Sequence, residues 1–260
     1  MTSIKVVLLA FMIGLVPALA TAAEATPGLA PAALTDAQKT AVEEVVRDLL
    51  TKKEPEIVIK AAQAMQEKME TEHAVKGQAA VGKNRDRLYN DPDSFVGGNP
   101  KGDVTVVEFF DYMCGYCKVA QEAVEKVLAE DKNVRLVYKE FPILGAGSMT
   151  ASKAAIASVP TGKYIKFHNA LMSSKDRLTE TTIFAIAENV GLNVEKLKKD
   201  MADEKVEKIV KANLALAQEI GARGTPTFII GEKVFPGAVP VEQLKEAIAA
   251  ARKGAKETKK

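Results

Sequence analysis

An apolar run, Val104 to Phe110, leads straight into Asp111-Tyr112-Met113-Cys114-Gly115-Tyr116-Cys117, and a helix-patterned run, Lys118 to Ala129, leads out. Cys114 and Cys117 are the two cysteines of the 260-residue chain. Strand, Cys-x-x-Cys, helix is a tight constraint, because it asks for a βα unit whose turn carries both thiols. A bridge between residues this close would close a tiny loop and add little chain-entropy stabilisation. Nor do two cysteines make a disulfide framework for a protein of this size. The pair is read as chemistry, not as a staple.

The flanking pattern extends the unit. Val134 to Phe141 is a second strand, stopped by Pro142. Ala120, Val124, Val127 and Leu128 mark the inner face of the helix between the strands, and Cys117 lies on that face. From Leu144 to Ile220 the signals are almost all helical. One helix holds Ala154, Ala155 and Ile156. Another is capped by Thr179 and ends before Gly191, a short third is capped by Asn193, and a fourth is striped by Val206, Ile209, Val210, Leu214 and Ala217. Gly145-Ala146-Gly147-Ser148 lacks the lysine and the spacing of a phosphate loop and reads as a helix start. Thr227 to Ile230, a Gly231-Glu232 turn and Lys233 to Phe235 form a hairpin, and Val241 to Ala251 form a closing helix. A βαβ unit and a ββα unit separated by helices is an α/β, thioredoxin-like layout with an inserted helical block, about 144–220.

The N-terminal third has a different texture. Lys5, the apolar run Val6 to Val16, and Ala18-Leu19-Ala20 or Thr21-Ala22-Ala23 read as a signal peptide over 1–23, cleaved near Ala20 or Ala23. Its apolar run is short for a membrane span. A helical arm and linker are expected over 24–92. Thr35 and Gln38 form a capping box, Val42, Val45, Val46, Leu49 and Leu50 form one stripe, and Val58, Ala61, Ala62, Met65 and Met69 form a second, interrupted at Gly77. Residues 82–94 read as a linker. Two narrow stripes cannot satisfy each other alone. The arm either docks on its own domain or joins copies of the chain as a homo-oligomer through 35–80. Residues 253–260 are a solvated basic tail, and a net charge of +2 does not point to nucleic acid.

Glu108-Phe109-Phe110 running into Cys114-Gly115-Tyr116-Cys117, followed by Gly224-Thr225-Pro226-Thr227-Phe228 before the hairpin, resembles the DsbA family of thioredoxin-like disulfide oxidoreductases. With its helical arm the chain is most similar to the ScsC-like branch. The resemblance covers about 93–252. It implies a periplasmic thiol:disulfide oxidoreductase acting on cysteine-containing substrate proteins and served by a membrane redox partner, with no cofactor and no resident metal. It also implies that Thr225-Pro226 is a loop with a cis proline facing the cysteines and presenting the Thr225 backbone to an extended substrate. Glu108 would be a buried acid relaying protons for Cys117, with Lys139 as its partner; otherwise Glu108 points to solvent at an edge.

Residue chemistry supports the same division of labour. Helix N-terminal N–H groups favour a thiolate at Cys114, whereas a free thiol of pKa about 8.5 is only a few per cent ionised at pH 7. Cys117, one turn in and core-facing, is the resolving thiol. Tyr116 adds an aromatic face and a hydroxyl to the substrate-binding set; the family's best-known oxidase has a histidine in this dipeptide. An oxidising monomer would be a dithiol oxidase, and an oligomer presenting several Cys114 sites would suit disulfide isomerisation. The alternative from another class is a copper(I)-binding protein using the same two sulfurs, with Met113 adjacent; zinc would need four ligands. His73 and His168 read as surface or satisfied core residues.

Overall fold

The computed structural model describes residues 34–257 and divides into two compact units, Met1–Lys60 and Ala61–Lys260. The expected export leader lies outside the described residues. No helix among the described residues is long and apolar enough to cross a membrane.

In the first unit the capping box forms as its residues dictate. The Thr35 amide donates to Gln38 Oε1 at 2.9 Å, the Gln38 amide donates back to the Thr35 hydroxyl, and α1 (Asp36–Asp48) follows. A π-helical stretch, Leu49–Lys53, succeeds it. α1 buries no residue; Val42, Val45 and Val46 are exposed.

α2 (Ile57–Lys83) runs through Gly77 without the expected interruption. Gly77 is buried, and a Cβ there would sit at ordinary contact distance from Val234 and the Ile220 carbonyl. Close packing outweighs glycine's helix penalty of about 1 kcal/mol. Residues 82–94 are not a linker either. α3 (Arg85–Tyr89) buries Leu88 and Tyr89 beside Val81 in a hydrophobic cluster.

The sheet of the second unit has five strands, β1 (Val96–Gly98), β2 (Val104–Phe110), β3 (Val134–Glu140), β4 (Thr227–Ile230) and β5 (Lys233–Pro236), in the order β1-β3-β2-β4-β5. β2 and β3 are parallel, joined by α4 (Gly115–Glu130), and β4 is antiparallel to β2. The central place of β2 accounts for its unbroken apolar run, which is covered on both faces. β1 is an addition to the expected pattern, because Gly97-Gly98 reads as a turn. Gly98 has φ +64°, and a Cβ there would lie 2.5 Å from the Val134 carbonyl, so glycine lets this short strand close on β3.

Register decides which residues share a face. Glu108 lies opposite Tyr138 and Phe228, and Phe109 lies opposite Lys139 and Thr227. Alternation then puts Val106, Glu108, Phe110, Leu136, Tyr138 and Phe228 on one face. α4, most of the helical block and the closing helix α10 (Val241–Glu257) cover that face. Val107, Phe109, Val137 and Ile229 pack on the other face against Val81, Leu88, Tyr89, Leu216, Ala217 and Ile220.

The helical block contains α5 (Ala146–Ser158), α6 (Tyr164–Ser173), α7 (Glu180–Asn189), α8 (Val194–Met201) and α9 (Glu204–Glu219). Thr179 and Asn193 cap α7 and α8 as expected, each side chain accepting from the amide three residues on. α6 had no separate signal in the sequence. α10 continues into the expected tail as far as Glu257.

Candidate active site

β2 delivers the chain to Asp111, and Asp111 builds the turn. Its Oδ1 accepts from the Met113 amide at 2.8 Å and the Ser148 hydroxyl at 2.7 Å. Its Oδ2 accepts from the Ile143 and Leu144 amides at 2.8 and 3.0 Å. One buried carboxylate thus ties the cysteine turn to the start of the helical block. Sequence reasoning passed over Asp111; its place immediately after a buried strand and three residues before a helix cap was the available signal.

Cys114 is the N-cap of α4, with extended backbone (φ −79°, ψ 116°) and no side-chain cap bond. Its residue is 7% exposed, less open than a freely accessible nucleophile. The amides of Cys117 and Lys118 both donate to the Cys114 carbonyl, so the helix opens at this residue. Cys117 is fully buried on the core face of α4, one turn along. Both cysteines are free thiols. Burial pushes the Cys117 thiol well up, the Cys114 and Glu108 charges add to that, and a hydrogen bond from the Asp111 backbone opposes it.

Thr225-Pro226 is a cis peptide. The Cys114 thiol donates to the Thr225 carbonyl at 3.2 Å, so residues 111 apart in sequence meet at the sulfur. Tyr116 (71% exposed) and Val119 stand on the outer side of α4, and Ile143 and Leu144 are exposed in the loop that Asp111 holds. These apolar groups flank Cys114's end of α4; the last two were not foreseen. Lys118 reaches the Ser174 carbonyl, and its partial burial lowers its pKa.

Glu108 is 1% exposed, on the cysteine face, in a central strand rather than at an edge. Its Oε2 has no hydrogen-bond partner. Burial raises its pKa to about 8, and its charge bears on both Cys117 and Tyr138. The expected pairing with Lys139 does not occur. Lys139 lies opposite Phe109, on the other face of the sheet, and its Nζ pairs with Asp91 Oδ2 at 2.6 Å. A cavity of about 300 Å³ opens there, lined by Lys139, Asp91, Arg87 and Asn213, away from the cysteines.

A second buried acid lies on the cysteine side. Glu140 Oε1 is 3.0 Å from the Tyr112 hydroxyl and accepts from the Tyr164 hydroxyl at 2.9 Å. His168 is a core residue, with Nδ1 3.0 Å from the Tyr112 hydroxyl. The side chain of His73 lies outside the described residues. Among the described residues no group of three or more His, Cys, Asp and Glu is placed to hold a metal ion.

The DSBA-like thioredoxin domain model matches residues 105–249. Among solved structures the chain is similar to a thioredoxin-like oxidoreductase from Silicibacter pomeroyi, at 49% identity over 65% of this chain and 98% of that one, with a TM-score of 0.65. It is also similar to a linker-deletion mutant of Proteus mirabilis ScsC, at 29% identity over 85% of this chain and 98% of that one, with a TM-score of 0.63. Among curated proteins it is similar to the Na(+)/H(+) antiporter NhaA 3 of Salinispora tropica, at 29% identity over 62% of this chain. The chain spans about a quarter of the length of the curated relatives it matches.

Proposed function

We propose that this chain, which belongs to the DsbA-like thioredoxin domain family, is a thiol:disulfide oxidoreductase that works on cysteines of other proteins. One observation carries the reading: Cys114 caps α4 with its sulfur 3.2 Å from the Thr225 carbonyl, while Cys117 waits buried one turn below.

The Cys114 sulfur attacks one sulfur of a substrate disulfide. The substrate S–S bond breaks, its other sulfur leaves as a thiolate, and Cys114 is joined to the substrate in a mixed disulfide. An extended substrate segment pairs with the Thr225 backbone, and Tyr116 supplies an apolar surface beside it. Cys117 gives its proton to Glu108, which takes it in the minority of chains where it is ionised near neutral pH, and attacks the Cys114 sulfur. The substrate departs reduced, and a Cys114–Cys117 disulfide remains. Run backwards, the same steps oxidise a substrate dithiol. An acid held at about 8 is matched to a proton transfer near neutral pH.

The exposed Val42, Val45 and Val46 stripe favours assembly of copies through residues 35–80. Several Cys114 sites on one assembly favour isomerisation, in which a second substrate thiol, rather than Cys117, resolves the mixed disulfide. The leader ending near Ala20 or Ala23 would export the protein to the periplasm, where a membrane partner resets the cysteine pair.

The test is insulin reduction and scrambled-ribonuclease refolding, before and after alkylation of Cys114. The reading expects both activities and their loss on alkylation; tight Cu(I) binding with no disulfide exchange would sink it. Light scattering of the mature chain with and without 24–90 tests the assembly, and a monomeric full-length protein would remove the isomerase argument.

A further inference from the structure

Exchange through Cys114, Cys117 and Glu108 leaves a buried cluster without a role: Glu140, Tyr112, Tyr164 and His168. Glu140 ends β3, opposite Phe110, where the cysteine turn begins. Tyr112 belongs to that turn, two residues before Cys114, and the Cys114 amide donates to the Asp111 carbonyl at 3.0 Å. Tyr164 and His168 come from α6. The cluster is a bridge between the cysteine turn and the helical block.

Counting its protons fixes their places. The Gln121 side-chain nitrogen lies 2.9 Å from the Glu125 carboxylate, which only accepts, so the Gln121 oxygen is the atom turned toward His168. His168 Nε2, 3.3 Å from that oxygen, then carries a hydrogen. A neutral imidazole has one N–H, so Nδ1 is bare and takes the Tyr112 proton. Tyr112 has a single proton to give. Its contact with Glu140 Oε1 is a hydrogen bond only if Glu140 supplies the hydrogen.

The other Glu140 oxygen agrees. Oε2 and the Ser152 hydroxyl are both buried with no partner at hydrogen-bond distance, and Ser152 is near enough to offset part of the effect of burial on Glu140. An ionised carboxylate so placed would carry unsolvated charge. The arrangement with the same proton count, a His168 cation and a Glu140 carboxylate bridged by Tyr112, places two charges in a dry site. Burial works against both, pushing Glu140 up to about 8 and His168 down to about 3. Around the cluster stand Asp111 from the turn, Tyr138 from β3 and Tyr164 from α6; the Asp111 charge adds to the reluctance of Glu140 to ionise.

We infer that Glu140 is a positioning residue for the exchange reaction: as a neutral acid it donates to Tyr112, Tyr112 donates to His168, and this chain of hydrogen bonds holds the Asp111-to-Cys114 turn against the helical block. The inference rests on the exchange reading only for its functional half; the proton arrangement stands on hydrogen-bond geometry and burial.

Two measurements test it on the full reduced chain. Nitrogen-15 NMR of labelled histidine reads the tautomer directly; the chain has two histidines, and a His73→Gln variant assigns them. At neutral pH His168 is expected neutral, protonated on Nε2 and bare on Nδ1. A cation, or the opposite tautomer, overturns the arrangement. The second measurement is the rate at which Cys114 reacts with a disulfide-containing peptide. Glu140→Gln can place an amide nitrogen with two N–H groups where Oε1 meets both hydroxyls, so it keeps the donor for Tyr112, and it is expected within about twofold of the parent. Glu140→Leu leaves the Tyr164 hydroxyl without its partner and Tyr112 with His168 alone, and is expected to slow the reaction about tenfold, or about 1.4 kcal/mol. If Glu140→Leu fails to fold, Tyr112→Phe, which keeps the ring, is expected to slow it about fivefold. Unchanged rates in the folded variants, or a Gln variant as slow as the Leu variant, overturn the positioning role. A parent chain that never exchanges disulfides refutes the function, while the NMR result still decides the proton arrangement.

Discussion

Glu108→Gln separates two things that the buried acid does. In the folded chain Glu108 is held at about 8 against an ordinary 4.5, because burial disfavours its charge. Between those values the folded chain keeps a proton that the unfolded chain releases. The contribution is fully present below 4.5 and disappears as pH rises through about 8. One pH unit of such a difference is about 1.4 kcal/mol, so Glu108 removes at most about 5 kcal/mol of stability across the window. Gln has the shape of the neutral acid and cannot ionise. It does bring a buried amide that needs partners, which costs about 1–3 kcal/mol where none is found. Urea melts of reduced parent and variant at both ends of the window make the test. The variant is expected to be equal or weaker at pH 4.5 and stronger by several kcal/mol above pH 8. Glu140 titrates over a similar range in both proteins, so the difference between them isolates Glu108. Parallel curves would refute the reasoning. In the same variant the resolving attack of Cys117 loses its proton acceptor and is expected to slow by roughly 10²–10⁴-fold, measured by quench-flow trapping of the mixed disulfide.

Asp91→Ala strands the buried Lys139 ammonium and is expected to cost about 3 kcal/mol in denaturant melts, whereas Lys139→Met is expected to be nearly neutral. Neither should change the resolving rate, because Lys139 faces away from Glu108; a slowed rate would restore the pairing that the structure denies. Gly147→Ala puts a Cβ 2.3 Å from the Leu178 carbonyl and 2.8 Å from Met113 Sδ, and is expected to lower stability by about 1–3 kcal/mol in thermal melts. Tyr116→Ala removes an exposed ring beside the thiol and is expected to raise KM for peptide substrates about tenfold with little change in melting temperature, since surface substitutions away from the core rarely cost more than about 0.5 kcal/mol.

What the amino-acid sequence reveals here is local. The strand into Cys114, the core side of Cys117, and the caps at Thr35, Thr179 and Asn193 all follow from periodicity and side-chain chemistry within a few residues. The two motifs flanking the helical block were legible because each carries its own turn chemistry. What was missed depends on pairing between distant segments. Alternation along β3 alone cannot say whether Lys139 shares a face with Glu108; only the β2–β3 register does. Gly77 and Gly98 read as breaks because the packing that uses them comes from Val234 and Val134. α3 hides in an Asn- and Asp-rich stretch whose Leu88 and Tyr89 gain meaning only against the sheet. The Glu140 cluster joins residues 28 and 56 positions from Tyr112, a separation with no sequence signature.

The central claim is that Cys114 attacks and Cys117 resolves. Replacing Cys117 with serine and mixing the reduced protein with a disulfide-containing substrate tests it most directly, with the adduct mapped by mass spectrometry. The account predicts a stable mixed disulfide through Cys114, which reductant releases and which the parent chain resolves. A Cys117→Ser chain that forms no adduct, or a Cys114→Ser chain that forms one through Cys117 just as fast, would contradict it.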